Sequence, residues 1–182
     1  MNPNIASDIH CFWFDEVGKD NWFGGGDDLD TTTRARFAEH WQALRAQAAP
    51  AFLGDDKSAL AGCLLFDQFP RNMFRGTADA FATDPLSLAI AQGAVKDGLL
   101  SKLSDDEKQF VLMPFMHSEE LAVQDRCVEL FATHGLDYNL EFARDHREAI
   151  VRFGRFPSRN AALGRDTTEA EKAWLDAGGG WG

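Results

Sequence analysis

Long hydrophobic runs are missing from this 182-residue chain, and with them any segment able to span a bilayer as a helix. Its first 30 residues also lack the basic-then-apolar pattern of a secretory leader. Cysteine is scarce. Cys11, Cys63 and Cys127 are odd in number and share no metal-ligand spacing, so three buried thiols in a reducing compartment, the cytoplasm, are expected. Positive charge is in deficit, 18 Lys and Arg against 29 Asp and Glu, a net −11 that disfavours a nucleic-acid partner. The period-two alternation of half-buried strands is absent over any useful length.

What is present is apolar residues at 45% and charged residues at 26%, the balance of an ordinary globular protein. The length predicts a single all-α domain over residues 1–182 with a flexible Gly-rich tail at 178–182. Ile5, Ile9, Phe12 and Trp13 recur at helical spacing before Gly18 and the Gly24-Gly25-Gly26 cluster interrupt them. A second helix should follow a cap at Asp30 or a neighbouring Thr and run through Phe37 and Trp41 to about Ala49. A third should open near Asp56 and stop before Pro70, because the residue preceding proline avoids helical torsions. Asp84-Pro85 reads as a capping carboxylate followed by a first-turn proline, opening a helix to Gly98.

Ser104-Asp105-Asp106-Glu107 has capping-box spacing. Ser118-Glu119-Glu120 opens the next helix, to Gly135. A further one from about Tyr138 places Phe142, His146, Ile150 and Phe153 on one face and ends at Gly154, and Thr168 caps a last short helix. The two helices meeting near Gly135 should form an antiparallel hairpin that sets residues 117–121 level with roughly 152–156.

Arginine is concentrated. Six of the 12 arginines lie between Arg144 and Arg165, a window of net +4 in an acidic chain. That window also holds half of a near-duplication. Phe66-Asp67-Gln68-Phe69-Pro70-Arg71-Asn72 recurs as Phe153-Gly154-Arg155-Phe156-Pro157-Ser158-Arg159-Asn160, one residue longer. The aromatic and proline residues suit a helix-stopping device, which does not by itself call for an Arg-Asn pair. Guanidinium forks match carboxylates or phosphates, and Asn adds a donor and an acceptor. Arg71, Asn72, Arg75, Arg152, Arg155, Arg159, Asn160 and Arg165 are therefore candidates for an anion-binding cleft. The competing account is a structural network of Arg–carboxylate bridges and helix caps.

Catalytic candidates are His117, His146, Asp67 and Glu119, any of which could supply general acid–base chemistry. A histidine on an apolar helix face, as His146 is, also suits a satisfied core residue. No His-x-x-x-His or Glu-x-x-His spacing offers adjacent metal ligands, so no metal or other cofactor is expected.

These stretches resemble a bacterial family known as domain of unknown function 924. The matching residues are Phe12-Trp13-Phe14, Trp22-Phe23, Asp67 to Asn72 with Arg75-Gly76, Asp84, Pro114, Met116-His117-Ser118-Glu119, His146, and Phe153 to Pro157 with Arg159-Asn160 and Gly164-Arg165. Ser158 stands where the family pattern carries a larger polar residue. The resemblance implies a fold of antiparallel helical hairpins similar to the tetratricopeptide superhelix, and it implies no activity. Three functions remain open: binding of an anionic small molecule or acidic peptide, an enzyme acting on a phosphate- or carboxylate-bearing substrate with His117 or His146 as acid–base group, and a purely structural role for every motif residue. Oligomeric state has no signature in the sequence.

Overall fold

The computed structural model describes residues 1–180, all of whose regular structure is helical. Two residues of the expected tail, Trp181 and Gly182, lie outside the described residues. The chain forms two compact units, one from Met1–Arg75 with Asp79–Pro114, the other from Gly76–Ala78 and Phe115 onwards.

In the first unit α1 (Pro3–His10) passes without a break into a π-helical segment, Cys11–Val17. Asn2 caps it, its side chain accepting from the Asn4 N–H. α2 (Asp27–Leu44) starts earlier than expected, directly after the glycine cluster, with Asp27, Asp28 and Asp30 in its first turn. α3 (Asp56–Cys63) is capped by Asp55, whose carboxylate accepts from the Ser58 N–H at 2.7 Å. α1 packs on α3, and so does α5 (Asp84–Lys96). Phe12, Phe37 and Phe69 form the aromatic centre, their ring centroids 4.7 to 5.8 Å apart.

Pro70 corrects the sequence expectation. The helix does not stop before it: α3 widens into a π-turn, Leu64–Gln68, and continues as α4 (Phe69–Met73) with Pro70 inside. Proline has no N–H, so the carbonyl of Phe66, four residues earlier, loses its helical donor. The Thr83 hydroxyl takes that place at 2.7 Å, and itself accepts the Trp41 indole N–H at 3.1 Å. Asp84 also differs from expectation. It is the first helical residue rather than a cap, and its carboxylate faces Arg71. α6 (Asp105–Met116) opens on the expected capping box, Glu107 accepting from the Ser104 N–H at 2.8 Å.

The second unit is built on α7 (Leu121–Thr133) and α8 (Asp137–Phe153), packed along their lengths as a hairpin. Gly135, at φ +67°, makes the turn. Cys127 and Phe131 on α7 and Ala143 and Ile150 on α8 are buried. Phe142, expected on the buried face, is 37% exposed. α9 (Glu169–Asp176) carries a complete capping box between Thr168 and Glu171, and its Trp174 covers Ala149, Ile150 and Phe156. Cys63 and Cys127 are buried, but Cys11 is exposed, so only two of the three thiols are in the core.

Candidate functional site

The two halves of the near-duplication fall in different units, and each has its own carboxylates. In the first corner the π-turn carries Asp67 into the interior, where it is fully buried. Arg71, one turn later, holds Asp84 through both guanidinium nitrogens, at 2.9 and 3.0 Å, and lies 3.3 Å from the Asp67 carboxylate. It also donates to the Asp67 carbonyl, and Gln68 donates to Asp67 Oδ2 at 2.5 Å. Burial acts against the Arg71 charge, but Asp67 and Asp84 more than offset it and hold the guanidinium protonated. Arg75 forks onto Asp30 at 2.8 and 3.1 Å and donates to Asn72 Oδ1 at 3.2 Å. The hydrogen bonds to two carboxylates commit most of the forks in this corner.

The second corner is assembled differently. Gly154, at φ +69°, ends α8, and Pro157 opens a short 3₁₀ turn, Pro157–Arg159. Arg155 forks onto Glu171 at 2.6 and 2.9 Å. Arg165 forks onto Glu119, both bonds 2.9 Å, and Glu119 also accepts the Phe156 N–H at 2.8 Å. The last bond places Glu119 level with residue 156, as hairpin counting predicts. Burial would raise the Glu119 pKa; the bonds from Arg165 and Phe156, with Arg159 nearby, turn it below the usual carboxylate range. Hydrogen bonds from Arg155 and Thr168 take Glu171 down to about 2. Asn160, almost wholly buried, donates to Thr167 and to Glu171, each at 3.3 Å.

His117 and His146 meet in this corner, ring centroids 6.1 Å apart. His146 Nδ1 lies 2.8 Å from the Phe142 carbonyl, which only accepts, so Nδ1 carries the proton and Nε2 is the basic nitrogen of the neutral ring. His146 packs against the Phe156 ring at 5.6 Å, and the Arg159 guanidinium covers the same ring at 4.8 Å. Arg159 also donates to the His117 carbonyl at 2.9 Å. Arg152 is exposed, its guanidinium over Phe153 at 4.7 Å. The basic window between Arg144 and Arg165 thus finds acids outside itself: Arg147 reaches Asp125, Arg155 reaches Glu171 and Arg165 reaches Glu119.

Of the catalytic candidates, His117, His146 and Glu119 come together in the second unit, and Asp67 lies in the first. Sequence reasoning missed Glu171 and Asp30 as arginine partners. Thr168-x-x-Glu171 showed as a cap, which hides a second use of the same carboxylate. No group of three or more His, Cys, Asp or Glu suited to a metal occurs among the described residues. Nor is any helix among them long and apolar enough to cross a membrane.

A family model described as a bacterial protein of unknown function (DUF924) matches residues 9–179. The chain is also similar to a solved structure of a protein of unknown function from Agrobacterium tumefaciens. The two are 39% identical, the match covers 97% of this chain and 99% of that one, and the TM-score is 0.90. No curated relative matches.

Proposed function

We propose, from the premise that this chain belongs to the bacterial DUF924 family of unknown function, that it binds an anionic ligand at the second unit's corner. The ligand class is a peptide carboxylate or a phosphorylated small molecule. One observation carries the reading: Arg159 and His146 flank the Phe156 ring, and His117 stands 6.1 Å from His146. A permanent cation and two imidazoles there converge on one small region. Glu119 is already held by Arg165 and a backbone N–H, so its charge is spoken for. The first corner, by contrast, serves the fold, since Arg71 and Arg75 are forked onto their own carboxylates. In an enzymatic extension of this reading His146, held through Nδ1 by the Phe142 carbonyl, or alternatively His117, is the acid–base group, with Glu119 as a positioning carboxylate.

In the same reading the α7–α8 hairpin is one element of a tetratricopeptide-like stack. The three free thiols support a cytoplasmic location, and the net charge of −11 disfavours nucleic acid as partner.

The test is titration of the full chain with inorganic phosphate and with an acidic tetrapeptide bearing a free C-terminus, read by thermal denaturation. At about 100 times its dissociation constant a bound ligand raises stability by about 2.7 kcal/mol. Arg159→Ala and His117→Ala should each remove that gain, while Arg75→Ala keeps it. Equal gains in all four proteins, or no gain in the parent chain, would overturn the assignment.

A further inference from the structure

We infer that the first unit carries a separate site for a small organic ammonium ion, in an open hollow of about 300 Å³ far in sequence from both corners. Three segments build it. α1 ends at His10, and the π-helical continuation brings Phe14 beside the imidazole, ring centroids 4.7 Å apart. Gly18, at φ +72°, turns the chain so that Lys19 and Trp22 reach the hollow. The capping box of α6 supplies Asp106 and Glu107 from the facing side. π-Helical turns are rare and concentrate at functional sites; this one forms a wall of the hollow.

The apolar lining is rigid. Phe14 and Trp22 meet edge to face at 5.5 Å, Trp22 sits on Phe110 at 4.9 Å, and the Trp22 indole N–H is tied to the Trp13 carbonyl at 2.8 Å. Polar capacity is asymmetric. Glu107 takes His10 Nε2 on one oxygen at 2.9 Å and the Ser104 N–H and hydroxyl on the other, at 2.8 and 2.7 Å. Burial pushes the Glu107 carboxyl up, but those bonds hold it below its ordinary range, so it is ionised. An ionised carboxylate only accepts. His10 Nε2 is therefore the donor of that bond. Asp106 gives one oxygen to Lys19 at 2.7 Å and keeps acceptor capacity on the other.

One ammonium, Lys19, stands against two carboxylates, Asp106 and Glu107, in the lining, on a chain of net −11. That balance repels anions and draws cations. Aromatic faces attract a cation and also shelter an apolar body. The second Asp106 oxygen calls for an N–H donor, which a quaternary ammonium lacks. A protonated primary or secondary amine with an apolar or aromatic body satisfies all three demands.

The experiment is a titration of the full chain with phenethylammonium chloride, followed by NMR at the Trp22 indole and the backbone amides of Lys19 and Glu107. Phenylethanol and phenylacetate serve as neutral and anionic counterparts. The expected result is saturable binding with shifts centred on those three signals, the alcohol at least threefold weaker, and no response to phenylacetate. Asp106→Asn should weaken the ammonium about three- to fivefold. Glu107→Gln removes the charge while a glutamine can still cap Ser104, and should weaken it similarly in a folded chain. Equal binding of alcohol and ammonium, shifts centred elsewhere, or unchanged affinity in both variants would overturn the assignment. None of these outcomes bears on phosphate or peptide binding in the second unit.

Discussion

Two stretches that read almost alike, Phe66 to Asn72 and Phe153 to Asn160, fold in opposite ways, and of their few differences the first decides the backbone. Where the first has Asp67, the second has Gly154. An aspartate keeps right-handed torsions, so the first stretch stays helical through its proline and draws a buried carboxylate into the unit's interior. A glycine accepts φ +69°, so the second stretch leaves the helix at once. From there the arginines diverge. Arg71 closes inward on two carboxylates of its own helix and of α5. Arg155, Arg159 and Arg165 spread around the loop after α8, whose Phe156 packs on His146 and whose Arg159 reaches the His117 carbonyl. Repetition of a motif is thus weak evidence for repetition of a role; here one copy cements a core and the other frames a candidate site.

The largest expected effect lies in the first corner. Arg71→Met removes a guanidinium from Asp67, a carboxylate with no exposure to solvent, and from Asp84. Breaking a buried ion pair from one side costs about 3–5 kcal/mol, because the remaining charge stays uncompensated. Urea denaturation should show that loss as a lower midpoint with an unchanged slope. A loss below about 1 kcal/mol, the range of exposed pairs, would remove the contrast between the corners.

A smaller effect sharpens the backbone half of the comparison. Gly154→Ala places a Cβ in open space, with nothing within 4 Å, so its cost is torsional alone. Holding an alanine in the left-handed region costs about 1–2 kcal/mol. Gly154→Asn, whose side chain tolerates that region, should recover part of the loss in the same denaturation experiment. An alanine variant as stable as the parent would show that the glycine is not what ends α8.

Much of this architecture is legible in the sequence, for reasons that also mark where legibility ends. Helical periodicity and the capping boxes at Ser104 and Thr168 locate elements because both act within one turn. Gly154 is readable as a stop for the same reason. Pro70 misleads because its local penalty is met by a hydroxyl 13 residues later, Thr83, on a different element. Asp84 reads as a cap because nothing in its neighbours announces Arg71. The arginine-rich window is visible as an imbalance of charge, but the acids that answer it, Asp125, Glu119 and Glu171, sit on other helices. Hairpin counting did recover Glu119 beside Phe156, since a short turn fixes the register of both helices. Side-chain partners across long separations are set by packing, which spacing rules do not contain.

A last expected effect is read as a slope against pH, and it discriminates the corners by where their charge sits. Glu171 ionises in the folded state at about 2, against an ordinary 4.5, because Arg155 and Thr168 bind its carboxylate form. A depressed carboxylate stabilises the fold fully above its unfolded pKa and ceases to do so as pH falls through the folded one. The contribution is therefore complete at neutral pH, begins to fade below about 4.5 and is gone near 2. Glu119, lowered through Arg165 and the Phe156 N–H, adds loss in the same direction. Glu171→Gln should flatten the fall of melting temperature with pH across that window while lowering it at pH 7. Arg71→Met should lower the melting temperature at pH 7 and leave the second unit's acid response in place. If Glu171→Gln left the acid slope untouched, the fork from Arg155 would be a surface contact without consequence, and the second corner would owe its shape to Gly154 and the Phe156 anchor alone.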